Sequence, residues 1–69
     1  MTELIFLVEE DAEGGFTARA IGPSIVTEAD SLDELRKAVR ESVICHFDRE
    51  TDRPRMIRLH MVRDEVLSL

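Results

Sequence analysis

Three groups of residues in this sequence have types that could do chemistry. Cys45 and His46 stand side by side, a thiol next to an imidazole, which is the pairing that activates a nucleophile. Glu9, Glu10, Asp11 and Glu13 crowd one short stretch, as carboxylates do around a divalent cation. Arg49, Arg53, Arg55, Arg58 and Arg63 concentrate positive charge, the kind that neutralises phosphate.

Spacing argues against each chemistry. Cys45 and His46 fall on a helix, where consecutive side chains point about 100° apart and cannot form the hydrogen bond that activation needs. His46 lies near the apolar face and reads as a partly buried packing residue. The acidic stretch lacks the Asp-x-Asp-x-Asp-Gly order and the closing bidentate glutamate of a calcium loop, so it reads as a solvated turn. A two-metal nuclease site needs carboxylates converging from several elements, the first strand among them. The body of that strand, Leu4 to Val8, contains no acid. The arginines are interrupted by Glu50 and Asp52 and divide between faces and loops, where they suit pairing with the acidic half of a neighbouring subunit better than RNA contact. One cysteine and two histidines cannot assemble the usual four-ligand zinc site. No catalytic, cofactor or metal residue is assigned, and the chain does not read as an enzyme.

Charge distribution says more. The net charge is −6, which opposes general nucleic-acid binding. Residues 1–34 hold nine acids against Arg19 alone, whereas residues 35–69 hold eight bases against six acids. An acidic first half steers a basic partner toward it. Glu9, Glu10, Asp11, Glu13 and Glu28 are the candidate partner-binding residues; a solvated face that serves solubility alone is the plainer alternative.

These residues must be positioned by few elements. Leu4 to Glu9 reads as a strand apolar on both alternating sets, Leu4, Phe6 and Val8 against Ile5 and Leu7. Glu10 to Gly15 reads as a hairpin loop whose glycines permit positive φ. Phe16 to Ile21 is the antiparallel return, broken by Gly22-Pro23-Ser24, after which Ile25 to Ala29 resumes as a short third strand. Ser31 followed by Glu34 forms a capping box that starts a helix running to about Phe47. Leu32, Leu35, Ala38, Val39, Ser42, Val43 and His46 share its apolar face. Asp48 to Pro54 is a charged loop, and Met56 to Val62 alternates as a half-buried strand, with Ile57, Leu59 and Met61 on one side. The fold class is therefore α+β, in the order β-β-β-α-β, an antiparallel sheet with one helix on one face and a single domain over residues 1–69.

One helix covers one sheet face, yet Ile5 and Leu7 must point away from it. An apolar face left open on a chain of this size is an interaction site. A domain of about 60 residues buries only about 60% of its unfolded surface, and no disulfide is available to staple it. A homo-oligomer, first of all a dimer, is the expectation, with Ile5, Leu7, Val66 and Leu67 at its interface. The apolar start, Leu4 to Val8, has no basic region before it and is too short to cross a membrane. With the lone thiol, this fits a cytoplasmic protein and no membrane partner.

The order and spacing of Gly14-Gly15-Phe16-Thr17-Ala18, Ile21-Gly22-Pro23 and Val26-Thr27-Glu28-Ala29-Asp30-Ser31-Leu32-Asp33-Glu34-Leu35, with Val39, Arg40, Glu41 and Val43 beyond, resemble the HicB family, the antitoxin half of a bacterial toxin–antitoxin pair. That pattern is a strand opened by two glycines and an aromatic, a proline corner, and a short strand ending in a Gly/Asp-Ser/Thr-Leu-x-Glu helix start. It covers residues 4–62. The resemblance implies a partial RNase H-like fold, usually oligomeric, that binds and silences a small basic ribonuclease toxin. Family members often add a C-terminal DNA-binding domain; only seven residues follow Val62 here, so no DNA-binding module is expected. The corner Ile21-Gly22-Pro23-Ser24 is also shorter than the family's proline-glycine-cysteine turn. An orphan, self-associating module without a toxin is the alternative.

Overall fold

The computed structural model describes residues 2–69. Four strands and one long helix follow in the order β1 (Glu3–Glu10), β2 (Phe16–Ala20), β3 (Val26–Ala29), α1 (Leu32–His46) and β4 (Met56–Val62), with a short 3-10 turn at Glu50–Asp52 before β4. The sheet order is β3-β2-β1-β4. This is the expected α+β, β-β-β-α-β arrangement, with one correction. β1–β2 and β2–β3 pair antiparallel, but β4 pairs parallel to β1, so the sheet is mixed. The cause is the helix: α1 carries the chain back along the sheet, so the strand after it must run in the direction of the strand before it.

Each boundary has a local cause. The β1–β2 loop closes through two backbone bonds, Gly14 N–H to Asp11 C=O and Asp11 N–H to Gly15 C=O, both 3.0 Å. Gly14 and Gly15 take φ of 95° and 89°, a region that a Cβ disfavours. At the corner after β2, the Ala20 N–H reaches the Ile25 carbonyl at 2.9 Å, which tucks Ile25 into the core just before β3 begins. Ser31 caps α1 by accepting from the Glu34 N–H at 3.2 Å. Asp33 and Glu34 occupy the first turn, where the helix dipole favours negative charge.

The core lies between α1 and one sheet face. Leu4, Phe6 and Val8 of β1, Ala18 and Ala20 of β2, Ile25, and Leu35, Val39 and Val43 of α1 are buried. Ile5 and Leu7, between the buried β1 residues, are half-buried and face the other way. The helix backbone approaches β3 and β2 most closely. Ala18, Ala20 and Ala29 make that approach possible, because small side chains leave room for a helix, while Phe6 fills the deeper space over β1. His46 is exposed, not partly buried; the helix ends there, and Phe47, which packs against the core, takes the role expected of it.

Gly15 carries a second constraint. A Cβ built there would sit 3.2 Å from the Ala29 carbonyl oxygen. Gly15→Ala is expected to cost about 1–2 kcal/mol or somewhat more, from left-handed backbone and crowding together. Gly14→Ala, which meets open space, should cost less. Urea unfolding midpoints of the two variants check the order.

Candidate functional site

Apart from Glu3, the acids of residues 1–34 gather at one end of the molecule. β1 ends, β2 begins, β3 ends and α1 begins at that end, because the first three strands alternate in direction and the helix runs back down. Glu9 and Glu10 close β1, Asp11 and Glu13 lie in the hairpin loop, and Glu28 sits near the end of β3. Asp30, Asp33 and Glu34 add the helix start. All are exposed.

The five candidate partner-binding acids share this end but not one face. Register puts Glu9 opposite Thr17, and Thr17 opposite Glu28. Glu9 and Glu28 therefore project from the side away from the helix, roughly 10 Å apart across two strand spacings. Glu10 opposes Phe16 and projects toward the helix side. Asp11 and Glu13 crown the loop between them. Glu9 has a weak exposed partner, the Arg19 guanidinium at 3.7 Å. The result is a rounded acidic end that a basic surface could cradle, with no convergent carboxylate pair.

The same rows explain the uncovered face. Ile5 lies opposite Arg58, and Leu7 lies between Arg19 and His60. Long charged side chains can lay their apolar stems along neighbouring surface while keeping their charge in water. That placement accounts for the half-burial of Ile5 and Leu7 in a single copy of the chain. Val66 and Leu67 differ: they are 94% and 78% exposed in a tail that follows β4 with no regular structure.

The arginines, which the sequence grouped together, separate in space. Arg53 donates from Nε to the Phe47 carbonyl at 3.0 Å and from Nη2 to the Ile44 carbonyl at 3.4 Å, closing the C-terminal end of α1. Arg58 is paired with Glu3 on the uncovered face. Arg63 lies at the acidic end beside Glu9 and Glu10. Arg55 lines a trough with Arg36 and Arg40. The strap by Arg53 was not legible in the sequence, because it joins residues across a loop of irregular shape; a basic residue shortly after a helix end was the only signal.

Cys45 and His46 are both exposed, and Cys45 is a free thiol. The His46 ring packs edge-on to Phe47, with centroids 4.8 Å apart. Glu3 and Glu9 stand at opposite ends of β1, about 20 Å apart over six strand residues, too far to share an ion. Among the described residues, no group of three or more His, Cys, Asp or Glu could hold a metal, and no helix is long and apolar enough to cross a membrane.

Arg58 holds the Glu3 carboxyl below the usual carboxylate range, by the hydrogen bond first and by its charge, while burial works against it. A lowered carboxyl contributes stability above its ordinary value and loses it as pH falls through the lowered one. The stability difference between the wild type and Arg58→Ala should therefore be largest near neutral pH and shrink in acid, as read by urea unfolding at stepped pH. Arg53→Ala should destabilise by about 1 kcal/mol at all these values, since carbonyl acceptors do not titrate; a pH-dependent loss would argue against the strap.

A protein from Archaeoglobus fulgidus named as a UPF0150 protein is 53% identical over 53 residues, which is 77% of each chain. A UPF0150 protein from Thermotoga maritima is 28% identical over 67 residues, 97% of this chain and 93% of that one. No family model and no solved structure matches.

Proposed function

This chain belongs to the UPF0150 family, and we propose that it is a HicB-like binding module of antitoxin type, which neutralises a small basic ribonuclease by occupying its RNA-binding surface. The supporting observation is the gathering of Glu9, Glu10, Asp11, Glu13 and Glu28 at one exposed end of the sheet. A ribonuclease must present positive charge to RNA phosphate. An end bearing several carboxylates competes for the same charge without being a substrate. The inhibition is steric and electrostatic, so it needs no catalytic residue in this chain. Cytoplasmic placement follows from that role, because a ribonuclease toxin acts where RNA is.

The second reading is an orphan module that associates only with itself. The observation in its favour is the exposed apolar tail at Val66 and Leu67.

The discriminating experiment mixes the purified chain with a small basic ribonuclease encoded by a neighbouring reading frame and follows RNA cleavage. Equimolar wild-type chain should suppress cleavage. Glu9→Lys together with Glu28→Lys should weaken inhibition by about tenfold or more, with the wild-type effect fading as salt rises. Undiminished cleavage in the presence of the wild-type chain, or inhibition indifferent to both charge reversals, would remove the proposal.

A further inference from the structure

A trough of about 380 Å³ runs between α1 and β4 on the helix side of the sheet. It exists because α1 lies over β2 and β3, leaving the inner side of β4 partly open. Ile57 and Leu59 give it apolar lining over the buried Val39, and Arg36, Arg40 and Arg55 stand at its rim. Arg36 is bonded to Asp33 at 2.7 Å. Among the described residues, Arg40 and Arg55 have no acidic partner within ion-pair distance.

The tail after β4 has the complementary composition. Asp64-Glu65-Val66-Leu67-Ser68-Leu69 sets two acids before three apolar residues. Asp64 and Glu65 likewise have no ion-pair partner among the described residues. We infer that residues 64–69 of a second copy lie in this trough, with Val66 and Leu67 on its apolar lining and Asp64 and Glu65 against Arg40 and Arg55.

The occupant is a second copy on three grounds. Six extended residues span about 20 Å, and the wall that Pro54 to Leu59 give the trough runs roughly 17 Å. The tail leaves the fold at the acidic end, where Arg63 and Asp64 lie beside Glu9 and Glu10, and it stretches the molecule to 52 Å against 19 and 18 Å in the other directions. Reaching its own trough would require a reversal directly after Val62, through Arg63-Asp64-Glu65, which holds neither glycine nor proline to turn it. Reciprocal exchange of two tails closes a symmetric pair with no further copies to add. A single-stranded nucleic acid fits less well: the trough has no aromatic platform for a base, and the chain carries a net −6. None of the five acids assigned to toxin binding lines the trough, so the pairing stands or falls apart from that reading.

Sedimentation of the 69-residue chain tests it. The wild type should have twice the mass of one chain, and Val66→Ser with Leu67→Ser should shift it to single chains at the same concentration. Arg40→Glu with Arg55→Glu should raise the dissociation constant at least tenfold, and adding Asp64→Lys with Glu65→Lys should recover most of that loss. The charge exchange is informative even where one variant folds poorly, because only a direct pairing is rescued by reversing both sides. Single chains for the wild type would overturn the inference. So would a pair that survives the serine changes and dissociates with Leu7→Lys, which would assign the contact to the uncovered sheet face. A short RNA bound by Arg40 and Arg55 while the serine variant stays paired would also overturn it.

Discussion

A single fifteen-residue helix cannot cover a four-stranded sheet, and most of this molecule follows from where that helix settles. Helix and sheet axes approach most closely where intervening side chains are smallest. Here the small residues are Ala18, Ala20 and Ala29, on β2 and β3. The helix therefore lies toward that side, and Phe6, Leu35, Val8 and Val39, all fully enclosed, fill the space toward β1. Burying such side chains contributes roughly 1.5–3 kcal/mol each relative to exposure. The penalty falls on β4, whose inward residues Ile57 and Leu59 are only half-buried and whose Met61 is exposed.

The uncovered face meets the same shortage differently. Its two central apolar residues, Ile5 and Leu7, are flanked in register by Arg19, Arg58 and His60. This local shielding lessens the need for a companion on that face. It leaves the tail, with Val66 and Leu67, as the more exposed apolar surface. An apolar surplus in a small chain thus does not by itself reveal its location. Neighbouring long side chains can hide residues that alternation alone would leave in water.

Charge separation in the sequence becomes charge separation in space through strand direction. β1 ends and β3 ends where α1 begins, so acids from residues 9 to 34 gather without needing to be adjacent in the chain. Asp33 and Glu34 also complement the positive end of the helix dipole, so part of the acidic field supports the fold. The basic residues undergo the opposite change. Arg53 bonds to carbonyls at the helix end, Arg58 pairs with Glu3, and Arg63 lies at the acidic end, so the basic surface that remains is Arg55 with Arg36 and Arg40 of the helix.

Local signals set by one or two neighbouring residues were legible in the amino-acid order. Alternation of Leu4, Phe6 and Val8 against Ile5 and Leu7 gave the strand and its two faces, the glycine pair gave the hairpin, and Ser31 with Glu34 gave the helix start. Period and capping are short-range properties, so a linear reading suffices for them. The parallel pairing of β4, the exposure of His46, the separation of the arginines and the opening beside β4 depended on the folded chain. Each is fixed by which residues meet across long stretches of sequence, and the volume of three alanines far from β4 decides how much of β4 the helix leaves bare.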